Sequence, residues 1–201
     1  MQKILFVIST LTGGGAERAL CNITLALPSN VSADILVNSI SDEDYPHAGN
    51  VISLNLPPTK QKGILYHIRS ILKRFFALRK LKKNGNYSAC ISFMDSANIA
   101  NVLSGKKHCK TILSVRINLS HCASTEYQYF INPLVKLLYP RADKIISLSK
   151  GVENDLVHNF HLSKDKNATI YNGYDLLNIY KLAQQPQKVV TFETGDFYFV
   201  T

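Results

Sequence analysis

Short runs of β-branched and aliphatic residues alternate along this chain with longer segments whose apolar residues recur every three to four positions. The first pattern predicts strands and the second predicts helices. Strands are predicted at Lys3–Ser9, Asp34–Ser39, Val51–Leu54, Ala89–Phe93, Thr111–Val115, Lys144–Leu148 and Ala168–Tyr171. Helices are predicted at Ala16–Leu27, Lys62–Lys83, Ser96–Ser104, Gln128–Tyr139 and Lys150–Phe160, with Ser149 as the N-cap of the last one. Because strands this apolar are usually covered on both faces, the pattern predicts an open, doubly wound α/β domain with a mainly parallel sheet. Its ligands should lie beyond the carboxyl ends of the strands.

The segment from Lys60 to Lys83 has an unusual charge. It contains nine Lys and Arg residues and neither Asp nor Glu, while the whole protein carries a net charge of +9. On a helical wheel Arg69, Lys73 and Lys80 fall close together, so they form a line along the helix that is roughly 16 Å long at about 1.5 Å per residue. This line borders an apolar side formed by Ile64, Ile68, Ile71, Leu72, Phe75 and Leu78. Cations beside an apolar face suit an anionic and partly apolar ligand at a membrane surface.

Two other interpretations of this segment stay open. Many amphipathic helices are solvated surface helices, but these usually mix charges because Glu–Lys pairs at i, i+4 add stability. An isoelectric point of about 9.4 also fits a nucleic-acid-binding module. Against that, the aromatic residues of the segment are limited to Tyr66, Phe75 and Phe76, and the two phenylalanines fall where core packing is expected. No nucleic-acid partner is therefore expected.

Composition limits the remaining possibilities. With 201 residues, of which 46% are hydrophobic, the chain can form one domain, or one domain and part of another. It has no apolar run of about eighteen residues, the length that a membrane-spanning helix needs. The opening MQKILFVIST is interpreted as a buried strand rather than a secretory leader, and the four cysteines as reduced thiols of a cytoplasmic protein. Asp42–Asp44 matches a D-x-D pattern but lies in a polar loop, and the adjacent His–Cys pairs lack the usual spacing of metal ligands, so no metal is expected.

A glycine-rich loop follows the first predicted strand. Gly13, Gly14 and Gly15 lead directly into a helix, where glycines let the backbone approach a phosphate and free N–H groups favour an anion. The same glycines could also form a simple strand-to-helix turn. Arg18 favours a binding site, because it lies in the first helical turn, where the helix dipole disfavours a cation.

Five motifs occur in an order that resembles a known enzyme family. They are GGGAERAL after the first strand, ISFMDSANI at Ile91–Ile99, ILSVRIN at Ile112–Asn118, ADKIISLSKGVENDL at Ala142–Leu156 and IYNGYD at Ile170–Asp175. Over nearly its whole length the chain is similar to the N-terminal domain of family-four retaining glycosyltransferases, of the type that extends glycans on undecaprenyl diphosphate in bacteria. The resemblance implies a Rossmann-like domain, one half of a GT-B architecture, that binds the acceptor of a polysaccharide-building transferase. Nucleotide sugar would bind mainly to a second domain.

The resemblance also implies roles for matching residues. Gly13–Gly15 and Arg18 would face the cleft near the donor diphosphate, and Arg69, Lys73 and Lys80 would hold the acceptor's diphosphate along an anionic membrane. Asp95 and Asn98 would contact the sugar, or else cap a helix. Arg116 stands where several relatives have a His. Because an Arg cannot act as a general base near neutral pH, its role would be electrostatic. Asn118 would lie beside it at the ligand-facing edge. The sugar would be transferred with retention and without a metal or other cofactor, and the leaving diphosphate would be stabilised by N–H dipoles and cations.

The end of the chain predicts a domain boundary. Tyr171–Asp175 is interpreted as a sharp turn, Leu182–Lys188 as a polar linker, and Phe197–Thr201 as a further strand. Residues 1–180 would form the acceptor-binding domain, and residues 181–201 a linker and the first strand of a truncated donor domain. The chain alone is then expected to bind acceptor without transferring sugar, and to lie at the cytoplasmic face of the plasma membrane. Three alternatives stay open: a natural acceptor-binding subunit with a separate catalytic chain, a transferase with a water-soluble acceptor, and the nucleic-acid-binding module.

Overall fold

The computed structural model describes residues 2–56, 64–106, 108–122, 124–125 and 127–185. The strands are β1 (Gln2–Val7), β2 (Val31–Val37), β3 (Asn50–Ser53), β4 (Ala89–Phe93), β5 (Lys110–Val115), β6 (Lys144–Ser147) and β7 (Asn167–Thr169). The α-helices are α1 (Gly15–Leu25), α2 (Ile64–Asn84), α3 (Asp95–Leu103), α4 (Asn132–Leu138), α5 (Lys150–His158) and α6 (Leu176–Ala183). A π-helical turn at Tyr127–Ile131 leads into α4, and 3₁₀ turns lie at Tyr139–Arg141 and Lys164–Lys166.

The seven predicted strands and five predicted helices are all confirmed, with ends that differ by a few residues. The helix expected at Gln128–Tyr139 is divided between the π-helical turn and α4. Helix α6 was not predicted, because its apolar residues fall between an expected turn and an expected polar linker. The strand expected at residues 197–201 lies outside the described residues, so the domain boundary near residue 180 stays a prediction.

All neighbouring strands in the sheet are parallel, in the order β3-β2-β1-β4-β5-β6-β7. The chain first builds outward from β1 to β3, then crosses back and continues from β4 to β7. The strand order therefore reverses between β1 and β4, and their carboxyl ends open a crevice there. Open α/β sheets bind ligands at this kind of reversal.

The helices are divided unequally between the two faces of the sheet. Helices α2 to α5 cover one face, where the buried core includes Leu5 of β1, Leu78 of α2, Leu113 of β5 and Leu156 of α5. On the other face, α1 packs over β1 and β2. Beside α1, the residues that the structure describes leave a groove of about 660 Å³ above β4, β5 and β6. Parallel sheets are usually covered on both faces, so this groove is an exception.

The basic helix α2 is oriented differently from the expectation. Its buried row is Ser70, Arg74, Leu78 and Lys82, at a spacing of four residues. Ile68, Leu72 and Phe76, also four residues apart, are 49%, 51% and 65% exposed. The expected core packing of Phe76 is therefore wrong, although Leu78 of the predicted apolar side is fully buried. The physical reason is that the three polar residues of the inward row find hydrogen-bond partners, which lets them occupy core positions.

Lys82 illustrates how a cation is accommodated in this core. Its ammonium group donates to the backbone oxygens of Asn101 and Gly105, each at 2.8 Å, and to Oγ1 of Thr111 at 3.4 Å. The two carbonyl groups lie at the carboxyl end of α3, where a positive charge complements the helix dipole. Burial lowers the pKa of Lys82 below its ordinary value. This cation is therefore part of the structure and is not available to a surface ligand.

Candidate functional site

The predicted site residues come from segments that end at one edge of the sheet. The glycine loop follows β1, Asp95 follows β4, and Arg116 follows β5, and these three strands are neighbours in the sheet. Because parallel strands present their carboxyl ends at the same edge, the structure gathers these residues around the crevice between β1 and β4. Helix α2 joins the same edge, since it begins after β3 and runs back toward the start of β4.

The glycine loop has conformational reasons for two of its glycines. Gly13 has φ of +91°, a backbone conformation that favours glycine. Gly14 is the N-cap of α1, and a Cβ atom there would lie 2.4 Å from Oε2 of Glu17. The Glu17 carboxylate thus bends back over the loop, at the positive end of the α1 dipole. Sequence analysis missed this residue, although an acidic residue three positions after an N-cap is a known capping signal.

Arg18 has a structural partner in the described part of the chain. Its guanidinium carbon lies 3.9 Å from the centre of the Tyr45 ring, which is in the connection between β2 and β3. A guanidinium over an aromatic face is stabilised by the ring quadrupole. This contact accounts for a cation in the first turn of α1 without a ligand, so the role of Arg18 at the donor diphosphate stays a prediction.

Arg116 lies beyond the end of β5 and lines the groove beside α1. It donates a hydrogen bond to Oδ1 of Asn172, and its guanidinium carbon is 5.6 Å from the centre of the Phe93 ring. Its Nε has no hydrogen-bond partner among the described residues. Partial burial lowers the pKa of Arg116 from its ordinary value, but guanidinium groups stay charged at neutral pH. The Arg116 guanidinium therefore keeps a positive charge at the carboxyl edge of the sheet, and its Nε is still able to donate a hydrogen bond.

Asn172 is the partner that sequence analysis overlooked at this point. It belongs to the IYNGYD motif, which was interpreted as a sharp turn, and it reaches Arg116 across 56 residues of sequence. Asn118, two residues after Arg116, accepts a hydrogen bond from Oγ of Ser120 at 3.1 Å. Arg116 and Asn118 thus share the connection that leaves β5, and both are half-buried.

Asp95 and Asn98 are both buried, and both are hydrogen-bonded to neighbouring side chains. Asp95 is 4% exposed and accepts hydrogen bonds from the hydroxyl groups of Tyr139, at 2.8 Å, and Tyr127, at 3.1 Å. Asn98 is fully buried and bonds to Oγ of Ser92, the backbone oxygen of Ser114 and the hydroxyl of Tyr139. Burial raises the pKa of the Asp95 carboxyl, and the two tyrosine hydroxyls oppose that shift.

Neither residue is the N-cap of α3, although the Asp95 carboxyl accepts a hydrogen bond from its own backbone N–H in the first helical turn. The N-cap of α3 is Met94, without a side-chain capping hydrogen bond, and Asp95 and Asn98 lie inside the helix. Met94 has φ of 70° and ψ of 157°, a backbone conformation that is rare for residues other than glycine. By contrast, the predicted N-cap of α5 is confirmed, because Oγ of Ser149 accepts a hydrogen bond from the Val152 amide. The sugar contacts proposed for Asp95 and Asn98 stay predictions.

The cations of α2 separate into outward and inward groups. Arg69 and Lys80 are exposed, Lys73 is half-buried, and Arg74 and Lys82 are buried. Arg74 reaches the carboxyl edge of the sheet through Ser9, Asn38 and Ser96. At about 1.5 Å per residue, Arg69 lies roughly 7 Å beyond Arg74 on the ligand side, and Lys80 roughly 9 Å to the other side. The predicted line of three cations therefore extends from the ligand edge down the flank of the domain.

Metal-binding and reactive groups are not concentrated at this edge. Within the described residues, no three His, Cys, Asp or Glu side chains are placed to share a metal ion. Asp44 accepts a hydrogen bond from the Ser41 amide, inside the loop that was predicted for Asp42–Asp44. Burial raises the pKa of Cys21 to about 11 and of Cys90 to about 12, so both thiols stay protonated near neutral pH.

Comparison with known proteins identifies the family. The sequence profile of glycosyltransferase family 4 matches residues 13–177, which is most of the chain. The chain belongs to glycosyltransferase family 4. This membership confirms the family that the five sequence motifs indicated. The matched segment contains the glycine loop, α2, Asp95 and Arg116.

Two curated relatives come from Campylobacter jejuni. The chain is 32% identical over 153 residues to GalNAc-α-(1→4)-GalNAc-α-(1→3)-diNAcBac-PP-undecaprenol α-1,4-N-acetyl-D-galactosaminyltransferase, with 75% of this chain and 41% of the relative covered. It is 30% identical over 191 residues to N-acetylgalactosamine-N,N'-diacetylbacillosaminyl-diphospho-undecaprenol 4-α-N-acetylgalactosaminyltransferase, with 89% of this chain and 50% of the relative covered. The chain of this family-4 member thus spans about half the length of the curated relatives it matches.

A solved structure supports the fold. The crystal structure of Anabaena HepE in complex with UDP and glucose matches with a TM-score of 0.60 and 17% identity. The match covers 92% of this chain and 50% of HepE. It confirms the predicted Rossmann-like α/β fold of this chain. In the parts of the family-4 chain that the structure describes, no helix has the length and apolar character needed to span a bilayer.

Proposed function

We propose that this chain is the acceptor-binding half of a retaining glycosyltransferase that transfers a sugar from a nucleotide sugar to a polyprenyl-diphosphate-linked saccharide. The observation that carries this proposal is the outer surface of α2. There, the exposed row Ile68, Leu72 and Phe76 runs beside the cations Arg69, Lys73 and Lys80. We call this surface the membrane-facing row. The two Campylobacter relatives, whose names specify undecaprenyl diphosphate acceptors, support it.

The membrane-facing row suits a bilayer surface for two physical reasons. Three large apolar side chains, each about half exposed or more, lose contact with water when they enter the headgroup region. The neighbouring cations are attracted to anionic lipids, at about 1 kcal/mol for each Lys or Arg. Arg69 and Lys73 lie near the ligand edge of the sheet, where they could bind the acceptor's diphosphate while its polyprenyl chain stays in the bilayer. The protein would then act as a peripheral protein of the cytoplasmic membrane face.

In the crevice, the chain's own residues would bind and orient the reacting groups. The backbone N–H groups of the glycine loop would approach the donor diphosphate, with the Glu17 carboxylate moving away from Gly14 to admit it. Arg116, held by Asn172, would stabilise negative charge as the diphosphate leaves. Arg116 cannot act as a base near neutral pH, so its contribution is electrostatic. Transfer without a metal ion remains part of the proposal, as the family resemblance implies.

Membrane insertion of α2 can be tested with a single fluorophore, because the chain contains no Trp. In Phe76→Trp, the introduced indole should shift its emission to shorter wavelength on vesicles of phosphatidylcholine and phosphatidylglycerol. Brominated acyl chains should quench it. The matched control is Tyr171→Trp, at a side chain that is 65% exposed and distant in sequence from α2. Equal emission with and without vesicles at position 76 would contradict membrane docking and favour a water-soluble acceptor.

The cation line can be tested with two triple variants that remove the same charge. Arg69→Gln, Lys73→Gln and Lys80→Gln together should weaken vesicle binding on the order of a hundredfold, since three contacts are worth about 3 kcal/mol. Lys110→Gln, Arg141→Gln and Lys164→Gln remove three exposed cations elsewhere and should leave binding within about threefold. Equal losses in both triples would mean that net charge alone, and not the line, drives binding. Tighter binding to nucleic acid than to vesicles at equal salt would instead support the nucleic-acid alternative.

Catalysis gives a further test. The 201-residue chain is expected to bind acceptor without transferring sugar, because the proposal assigns the donor-binding residues to a second domain. Sugar transfer by this chain alone, measured with a radiolabelled nucleotide sugar, would overturn that assignment. Transfer that appears only after a separate polypeptide is added would support the two-chain alternative.

A further inference from the structure

Arg74 makes an unusual connection between three elements of the fold. It lies in the middle of α2 and is fully buried. Nη2 donates to Oδ1 of Asn38 at 2.8 Å and to Oγ of Ser9 at 3.1 Å, while Nη1 donates to Oγ of Ser96 at 3.0 Å. Ser9 follows β1, Asn38 follows β2, and Ser96 is in the first turn of α3. One guanidinium therefore joins α2 to the ends of two strands and the start of a helix, next to the crevice.

These bonds fix both the rotation and the axial position of α2. Successive helical residues differ by about 100° in direction and about 1.5 Å along the axis. Sliding α2 by one residue would therefore replace Arg74 at the sheet edge with Lys73 or Phe75. Ser70, one turn earlier, adds a contact of 3.5 Å to the same Asn38 oxygen. With Arg74 facing inward, Ile68, Leu72 and Phe76 necessarily face outward.

We propose that Arg74 is a positioning residue that sets the height and direction of the membrane-facing row relative to the crevice. Arg69 and Lys73 are then held at a fixed distance from the glycine loop and Arg116. The acceptor's diphosphate, bound by those cations, would be presented at a fixed height to the transfer site. This inference rests on the proposed function, and it adds a residue that does not touch the acceptor.

The choice of Arg at this position supports positioning over simple core packing. Burying a guanidinium is costly, and a well-packed apolar side chain would often stabilise a core equally well or better. An apolar side chain could not, however, bond to three oxygens on three elements. Lys has a compact ammonium group on a flexible stem, whereas Arg has a rigid planar fork that reaches separated acceptors. The guanidinium thus supplies directional bonds that neither Leu nor Lys reproduces.

The test compares binding of this chain to two kinds of phosphatidylcholine vesicle. One contains undecaprenyl diphosphate, and the other contains phosphatidylglycerol at the same net charge. The wild-type chain should prefer the diphosphate vesicles by about tenfold or more, the worth of one charge-assisted hydrogen bond. Arg74→Gln should reduce this preference to near unity while binding to phosphatidylglycerol vesicles changes little, because the exposed cations remain. A ratio of two dissociation constants does not depend on the fraction of folded protein.

Two further variants separate positioning from stability and from charge. Leu78→Ala removes a fully buried side chain one turn away, so it should lower the melting temperature yet keep the diphosphate preference. Arg74→Lys keeps the charge without the fork and should lose most of the preference. The inference would be overturned if Arg74→Lys kept the wild-type preference for diphosphate vesicles. It would also be overturned if Leu78→Ala lost as much of that preference as Arg74→Gln does.

Failure of the proposed function would give a different result. If the wild-type chain shows no diphosphate preference, the acceptor proposal fails, and the position of α2 is then tested by hydrogen exchange. Arg74→Gln should speed amide exchange in the first turns of α3 and in the connection after β2, relative to Leu78→Ala. Exchange that is no faster there than in Leu78→Ala would contradict the positioning role itself.

Discussion

The guanidinium of Arg74 donates a 2.8 Å hydrogen bond to the side-chain oxygen of Asn38, and both residues are buried. The bond joins the middle of the basic helix to the carboxyl end of β2. Asn38→Ala would leave the buried guanidinium without this acceptor, so we expect a loss of about 2–3 kcal/mol in the free energy of unfolding. Urea denaturation of the two proteins measures it.

Asn30 provides the control for that change, because it is an exposed Asn in the turn before β2. Asn30→Ala should change the free energy of unfolding by no more than about 0.5 kcal/mol. Similar small effects for both variants would show that the Arg74–Asn38 bond contributes little to stability.

Asp95 predicts a dependence of stability on pH. Burial raises its folded-state pKa, so the unfolded chain loses this proton at a lower pH than the native protein does. The native state then holds more protons, and stability falls as pH rises from about 3.9 through the folded-state pKa. Asp95→Asn cannot titrate and still accepts from Tyr139. Thermal melts should therefore show the variant gaining stability relative to wild type as pH rises from 3 to 7. A constant difference across this range would contradict the prediction.

The same variant separates a structural role of Asp95 from a role with the sugar. If the Asp95 carboxyl only accepts hydrogen bonds from Tyr127 and Tyr139, Asp95→Asn should leave acceptor binding unchanged. If it contacts the saccharide, binding of a diphosphate-linked saccharide should weaken while binding of the diphosphate lipid without sugar stays the same. Both can be measured on vesicles.

Met94 predicts a gain in stability when its backbone strain is removed. Its φ of 70° and ψ of 157° are accessible to glycine but cost other residues about 1–3 kcal/mol. Met94→Gly should therefore be about 1 kcal/mol or more stable than Met94→Ala, which loses the same side chain but keeps the strain. Denaturant unfolding of both variants makes the comparison. If the alanine variant is the more stable one, the backbone at this position is not strained.

Cys90 predicts a loss of stability at alkaline pH. Burial raises the pKa of its thiol from 9.0 to about 12, so the unfolded chain loses this proton first. The unfolding free energy should fall with rising pH above about 9, at up to about 1.4 kcal/mol per pH unit from this group. Urea titrations between pH 8 and 10.5 should show a shallower slope for Cys90→Ala than for wild type. Parallel slopes would contradict the assignment.

Several features of this protein were determined by the sequence itself. Buried runs such as Leu5–Val7 form strands because their side chains are apolar on both faces, as a parallel sheet requires. The glycine loop, Asp95 and Arg116 come after the ends of neighbouring strands, so the parallel arrangement brings them to one edge. The five motifs identified the family because local segments near a site keep their residue pattern in order along the chain.

Other features were decided only by the tertiary structure. The helical wheel of α2 placed its apolar residues together. In the structure, however, oxygens of Ser9 and Asn38 at the sheet edge and of Ser96 in α3 draw Arg74 inward and turn Phe76 toward solvent. Likewise, Arg116 meets Asn172 across 56 residues, and Glu17 bends over Gly14. Such contacts depend on partners that are distant in sequence or on the direction in which a side chain points. The spacing of apolar residues along the sequence contains neither kind of information. The sequence therefore determined which elements form, and packing against the sheet edge decided which face of the basic helix is free to bind.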